Sequence, residues 1–231
     1  PDHPVLPDLA ALLRLGLDAA VLATPPAQHL AVGRALAAAG VATLIEKPLA
    51  PTVAEAQALA RAFAGQPAAV GHVERFNPAV GALRAALAAH GGPVRVERAG
   101  PPPERSWALD AARDLAIHDL DLLAALLGPV QVEGAAGHAH ALSLHGTAGG
   151  RAFSLGVDAR AQTRRRRWEV GPVTVDLLPH AAGAEPLAVQ LDAFVQRCRG
   201  EHVGDLATLA DGLAALRAAE HALGALALNQ A

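Results

Sequence analysis

The feature that most constrains this chain is an alternation in its first third. Short apolar runs of strand length trade places with helical stretches, and each run ends at a turn signal. Asp18 precedes Ala19-Ala20-Val21-Leu22-Ala23, which stops at Thr24-Pro25-Pro26. A short helical pattern over Leu6–Leu15 comes before it. The pattern predicts a helix over 27–39 that stops at Gly40. It then predicts a strand over Val41–Ile45, with Glu46-Lys47-Pro48 at its carboxyl end. Thr52 and Glu55 have capping-box spacing and open a helix that runs to about Ala64. Ala68–Val73 reads as a third strand. Strand–helix–strand–helix–strand implies right-handed crossovers and a doubly wound parallel sheet. Ligands of such sheets sit outside the carboxyl ends of the strands. Thr24, Lys47 and the segment after Val70 therefore share the chemically useful edge.

The rest of the chain reads differently. Helices are expected over Pro78–His90 and Ala111–Leu127, the latter closed by Gly128-Pro129. Val94–Ala99 is a strand, followed by a stiff loop, Gly100-Pro101-Pro102-Pro103. Val130 to Val175 alternates in short segments with glycine breaks, the pattern of an antiparallel sheet. Helices over about Leu187–Cys198 and Asp205–Leu228 complete the chain. The expected architecture is α/β followed by α+β, with a nucleotide-binding unit at 1–74 and a substrate-binding and oligomerisation unit at 75–231.

Composition limits the classes of function. Hydrophobic residues are 52% and charged residues 18%, so 231 residues bury a real core. A net charge of −3 carries no basic surplus, which argues against a general nucleic-acid binder. No apolar run approaches the roughly 18–20 residues of a membrane span. Pro1-Asp2-His3-Pro4 lacks the basic and apolar regions of a signal peptide. The single cysteine, Cys198, rules out an internal disulfide framework and fits a reducing, cytoplasmic setting. There is no methionine, even at position 1, so residue 1 is not expected to be the native start.

Lys47 is the only lysine among 19 basic residues. Arginine has taken every other cationic role, so a retained lysine points to a need for a compact ammonium. At the end of a strand and before a proline, it is biased to an extended backbone and can point into the crevice. Asp114 and His118 are four apart on a helix and share a face, with Asp121 three further on. A histidine flanked by carboxylates can be oriented as a base near neutral pH. The same stripe could equally be a solvated face. An Asp/His pair is also half a metal site, but no further ligand at helical spacing supports one, and no metal is expected. His138, His140 and His145 read as a strand face. Arg164-Arg165-Arg166-Arg167 would alternate between the two faces of a strand. It is either a solvated edge or subunit interface, or a clamp for a diphosphate.

Taken in order, these residues resemble the glucose–fructose oxidoreductase/inositol dehydrogenase (Gfo/Idh/MocA) family. Asp18 to His29 is similar to its fourth Rossmann strand and turn, Glu46-Lys47-Pro48 to its signature, and Asp114-x-x-x-His118-x-x-Asp121 to its catalytic helix. Gly71-His72-Val73-Glu74-Arg75-Phe76-Asn77-Pro78 is similar to members that oxidise nucleotide sugars. The resemblance implies a partial Rossmann-like sheet with its N-terminal strands missing. About sixty family residues, including the Gly-rich pyrophosphate turn, have no counterpart here. A sheet shortened in this way would expose an edge.

The resemblance also implies the chemistry. A secondary alcohol of a sugar, nucleotide sugar or cyclic polyol would be oxidised, with NAD or NADP in an incomplete site. His118 would act as base, with Lys47 on the same oxygen and Asp114 on a neighbouring hydroxyl. Thr24, Pro25, His29, Glu46, Lys47 and Asn77 would line the cofactor side. Arg75 would contact substrate or cofactor phosphate, or form a structural salt bridge. A homo-oligomer through the second sheet is expected, with no nucleic-acid or membrane partner. The rival reading is a truncated, non-catalytic binding or assembly module.

Overall fold

The computed structural model describes residues 5–102, 109–178 and 185–228. Pro103 of the expected stiff loop and Pro1-Asp2-His3-Pro4 lie outside the described residues. After a short helix, α1 (Leu9–Leu13), the chain builds a parallel sheet of three strands: β1 (Ala19–Leu22), β2 (Ala42–Ile45) and β3 (Ala68–Val70). Helices α2 (Pro26–Ala38) and α3 (Val53–Ala62) make the crossovers. Pro26 occupies the first turn of α2, where a missing N–H costs nothing. At α3 the Thr52 Oγ1 accepts the Glu55 N–H at 3.3 Å and donates to Glu55 Oε2 at 2.8 Å.

Two expectations about this sheet need correction. Among the described residues it is not doubly wound. Strand order follows the chain, and both crossover helices cover one face, where Leu22, Ile45 and Val70 meet Leu36 and Leu59. The other face, Ala42, Leu44 and Ala69, is closed by Ala193 and Phe194 of α6 (Pro186–Cys198). Parallel strands need cover on both faces, and a helix from the far end of the chain supplies the second layer. β3 is also shorter than expected. The backbone leaves the sheet at Gly71 and enters a 3-10 turn over Val73–Phe76. β1 pairs only with β2 among the described strands, and Val21 is 51% exposed, the open edge anticipated from the sequence.

The second sheet is mixed. Its six strands are β4 (Val94–Ala99), β5 (Val130–His138), β6 (Ala141–Ala148), β7 (Arg151–Asp158), β8 (Arg165–Val170) and β9 (Val173–Asp176). They run in the order β5-β6-β7-β4-β8-β9, antiparallel except for the β4–β7 pair. Its inner face packs on α4 (Val80–Ala89), α5 (Ile117–Leu127) and α7 (Leu209–Leu228). α7 starts at Leu209 rather than Asp205, because Thr208 and Asp211 exchange capping bonds of 2.8–3.2 Å.

α5 and α7 join the two layers. Ile117 and Leu216 belong to the core beneath the first sheet, whereas Leu120, Leu123, Ala219 and Ala222 belong to the core beneath the second. α7 approaches β3 so closely that a Cβ on Gly212 would lie 2.7 Å from Val70 Cγ2. Gly81, in α4, faces open space. Gly212→Ala should therefore destabilise the fold by about 1–3 kcal/mol through overpacking. Gly81→Ala should stabilise it by roughly 0.5–1 kcal/mol through helix propensity. Urea denaturation of the two variants measures both.

Candidate active site

A cleft of about 380 Å³ opens at the carboxyl ends of β1 and β2, facing β4 and the start of β8. Ala23, Thr24, Pro26, Glu46 and Lys47 form one wall. Arg98, Ala99, Gly100, Pro101, Leu109, Asp114, Leu115, Arg164 and Arg166 form the rest. The parallel layer delivers Thr24 and Lys47 by strand direction alone. The Lys47–Pro48 peptide is cis. Lys47 Nζ donates to Asp114 Oδ1 at 2.9 Å and to the Asp114 carbonyl at 2.8 Å, with the two side chains 17% and 28% exposed.

Asp114 sits in a π-helical turn, Ala112–Ala116, that feeds directly into α5. Bonding from Ile117 N–H back to Ala112 O adds a residue to this turn. Such turns recur at functional sites because they re-aim side chains. His118 begins the next turn, partly buried, and its Nδ1 is buried without a hydrogen-bond partner. Burial, followed by the charges of Lys47 and Arg98, holds its imidazole well below the ordinary 6.5. The ring is thus neutral at pH 7 and free to accept a proton.

The carboxylates expected to flank His118 do other work. Asp119 accepts from Arg98 Nε and, at 3.3 Å, Arg98 Nη2, and from Trp168 Nε1 at 3.0 Å. Asp121 takes a two-pronged bond from Arg75, Nε at 2.8 Å and Nη2 at 2.7 Å. Both carboxylates are 1% exposed, so neither belongs to a solvated stripe. Glu74 Oε1 accepts from Arg166 at 2.8 Å and Arg98 at 3.2 Å. These ion pairs fix α5, β4, β8 and the 3-10 turn against one another.

Three expected ligand-binding side chains have structural posts instead. Arg75 is spent on Asp121 and, at 3.5 Å, Asp211, the salt-bridge alternative. Asn77 is buried, donating to Glu74 at 3.1 Å and the Leu177 carbonyl at 2.7 Å while accepting the Ala79 N–H at 3.0 Å. His29 is wholly buried, with Nε2 2.9 Å from the Thr24 carbonyl and Nδ1 3.2 Å from the Leu49 carbonyl. It shapes the Thr24 turn from behind. Pro25 is the residue before α2, and its neighbour Pro26 lines the cleft. Thr24 and Glu46 do line it, and Thr24 Oγ1 is buried with no hydrogen-bond partner. Glu46 packs on Gly71, where a Cβ would lie 3.1 Å from the carboxylate.

Sequence reasoning did not anticipate Arg98 or His72. Arg98 follows Val94 and Val96 on the buried face of β4, a charged residue at an inward position. His72 is 1% exposed, with neither ring nitrogen hydrogen-bonded and Nδ1 3.8 Å from Asp121 Oδ2. Burial lowers its pKa against the opposing pull of Asp121.

Residues 1–72 match the family described as "Oxidoreductase family, NAD-binding Rossmann fold". Over 131 residues the chain is 39% identical to the UDP-N-acetylglucosamine 3-dehydrogenase of Acidithiobacillus ferrooxidans, a stretch covering 55% of this chain and 41% of that protein. The sequence match thus spans less than half of the relative's length. The solved structure of that dehydrogenase, GnnA, superposes with a TM-score of 0.84 at 28% identity, covering 96% of this chain and 82% of the other. GenD2 from gentamicin A biosynthesis, solved in complex with NAD, shares the fold, with a TM-score of 0.81 at 22% identity over 97% of this chain and 80% of its own. Over residues 1–72 the chain is similar to the Gfo/Idh/MocA oxidoreductase family. Among the described residues, no helix is long and apolar enough to cross a membrane.

Two measurements probe this framework. Arg98→Met leaves Asp119 and Glu74 buried with less charge compensation and should lose about 3–5 kcal/mol of stability. Arg165→Met breaks the half-exposed pair with Glu97 and an exposed bond to Thr163, and should lose less than about 1 kcal/mol. The lowered pKa values of His72 and His118 set a pH dependence. Unfolded imidazoles bind protons near 6.5 while the buried ones resist, so unfolding takes up protons below that pH. This contribution leaves stability intact above about pH 6.5 and lowers it as pH falls further. Urea midpoints of wild type and His72→Phe at pH 7.5 and 5.5 would show the difference, with the variant losing less on acidification.

Proposed function

We propose that the cleft oxidises a secondary alcohol of a nucleotide sugar, reversibly, with NAD or NADP as the hydride acceptor. The observation that carries this reading is the Lys47–Asp114 pair in the cleft, with His118, whose buried Nδ1 has no partner, close enough to feel the charge of Lys47. The residues present fit the nicotinamide end of such a cofactor. Thr24 keeps a buried hydroxyl oxygen with no partner, in the same wall as Glu46 and Lys47. When bound, the cofactor supplies the two-electron chemistry, taking a hydride from the carbinol carbon. The UDP-N-acetylglucosamine relative gives the nucleotide-sugar class its support.

The side chains divide the remaining work. His118 accepts the hydroxyl proton, which its lowered pKa permits at neutral pH. Lys47 uses two of its three ammonium protons on Asp114 and keeps one for the substrate oxygen. That donor stabilises negative charge as the O–H bond breaks. Asp114 Oδ1 is engaged with Lys47, leaving Oδ2 to accept from a neighbouring hydroxyl. Residues 1–74 carry the cofactor side and 75–231 the substrate side in this reading, although α6 and α7 return to support the first.

His118→Asn should lower kcat with UDP-N-acetylglucosamine and NAD or NADP by about 10²–10⁴-fold. Binding of NADH or NADPH, measured by titration calorimetry, should change by no more than a few-fold. A wild-type rate in His118→Asn would contradict the assignment.

A further inference from the structure

Three of the four consecutive arginines begin β8 and are sorted by the strand, and Arg164 stands just before it. Arg165 pairs with Glu97 on the outer face at 2.6 Å, and Arg167 is exposed. Arg166 lies on the inner face with buried Trp168, and Arg164 lines the same cleft as Arg166 and Lys47. Strand register sets Arg166 directly opposite Arg98. Like charges in that position repel, and Glu74 Oε1 sits between them as shared acceptor.

Once those pairs are drawn, cationic capacity is left over. Arg98 directs all three of its nitrogens at Asp119 and Glu74. Arg166 uses a single Nη1 bond to Glu74 and is 30% exposed, so the rest of its fork is unspent. Arg164 is exposed and makes no hydrogen bond or ion pair among the described residues. It stands one residue before β8 and beside Gly100, where a Cβ would lie 3.5 Å from Arg164 Cγ, and both residues line the cleft. Two planar forks with unsatisfied donors therefore face a cavity already bounded by Lys47.

We propose that Arg164 and Arg166 grip the diphosphate of the substrate and make this a site for nucleoside-diphosphate sugars rather than free sugars or polyols. The inference rests on the hydride-transfer reading for which end of the cleft receives the sugar, but the grip itself needs no turnover. Anion and sugar would then share one cleft, the diphosphate held by Arg164 and Arg166 and the reacting hydroxyl by Lys47 and His118. The pair would act as specificity-determining residues.

The test is titration calorimetry with UDP alone, UDP-N-acetylglucosamine, free N-acetylglucosamine and NADH, each added separately. The proteins are wild type, Arg164→Gln, Arg166→Lys and, as an outer-face control matching the charge change of Arg164→Gln, Arg167→Gln. Arg166→Lys keeps the charge beside Glu74, and Arg164 is exposed, so both should fold. Each inner-face variant should raise the UDP Kd about tenfold or more while leaving the NADH Kd within twofold. Arg167→Gln should match wild type, and free N-acetylglucosamine should bind far more weakly than its UDP conjugate. The proposal is overturned if wild type does not bind UDP or if the inner-face variants bind it normally. It is equally overturned if NADH binding, rather than UDP binding, is what they lose. Loss of UDP affinity without any hydride transfer by wild type would leave the grip standing and remove the catalytic reading. Normal UDP binding in the variants, with turnover that depends on His118, would do the reverse.

Discussion

The rest of the site depends on a buried guanidinium. Arg98 is 3% exposed and reaches from β4 to Asp119 on α5 and to Glu74 in the 3-10 turn. Its pKa is driven upward by those two carboxylates despite burial, so it stays charged. Asp119 is adjacent in sequence to His118, so anchoring one side chain fixes where the helix presents the other. Arg75 does the same two residues later, holding Asp121 and drawing in α7 through Asp211. Apolar packing alone would let α5 slide along the inner face of the second sheet. Paired forks permit one register, although a buried ion pair adds less to stability than to uniqueness.

The same network sets the electrostatics of the cleft. Glu74, Asp119 and Asp121 are committed to arginines and Asp114 to Lys47, and cationic groups dominate the surroundings of His118. That is the reverse of a histidine oriented by a neighbouring carboxylate. Burial and the charge of Lys47 keep the His118 imidazole neutral, the form that the proposed role as base requires. His72, buried behind it with both nitrogens unpartnered, is a second neutral imidazole in this cationic interior.

Much of this was legible in the sequence because it follows from local rules. β1, β2, α2, α3 and the whole of β4 fall close to where apolar periodicity, Gly40 and the Thr52 cap put them. Lys47 stood out by rarity, and the structure brings it to Asp114. What was not legible depends on which residues meet across the chain. Arg75, Asn77 and His29 carry the residue types of binding groups. Burial against Asp121, Leu177 and Leu49 decides their posts, and those partners lie 46, 100 and 20 residues away. The winding of the first sheet escaped for the same reason, since its second layer comes from α6. Arg98 had a readable sign, a charge in step with Val94 and Val96, but naming its partners required the fold. The π-turn at Asp114 has no signature in an alanine-rich helix.

The most direct test is isotopic. UDP-N-acetylglucosamine deuterated at the sugar carbinol position would be incubated with the protein and NAD or NADP, and the nicotinamide examined by mass spectrometry and NMR. Deuterium recovered at nicotinamide C4, absent when His118 is replaced by Asn, is the predicted result. A nucleotide sugar recovered with its label intact under conditions where both ligands bind would contradict the account, because the cleft would then hold the sugar without oxidising it.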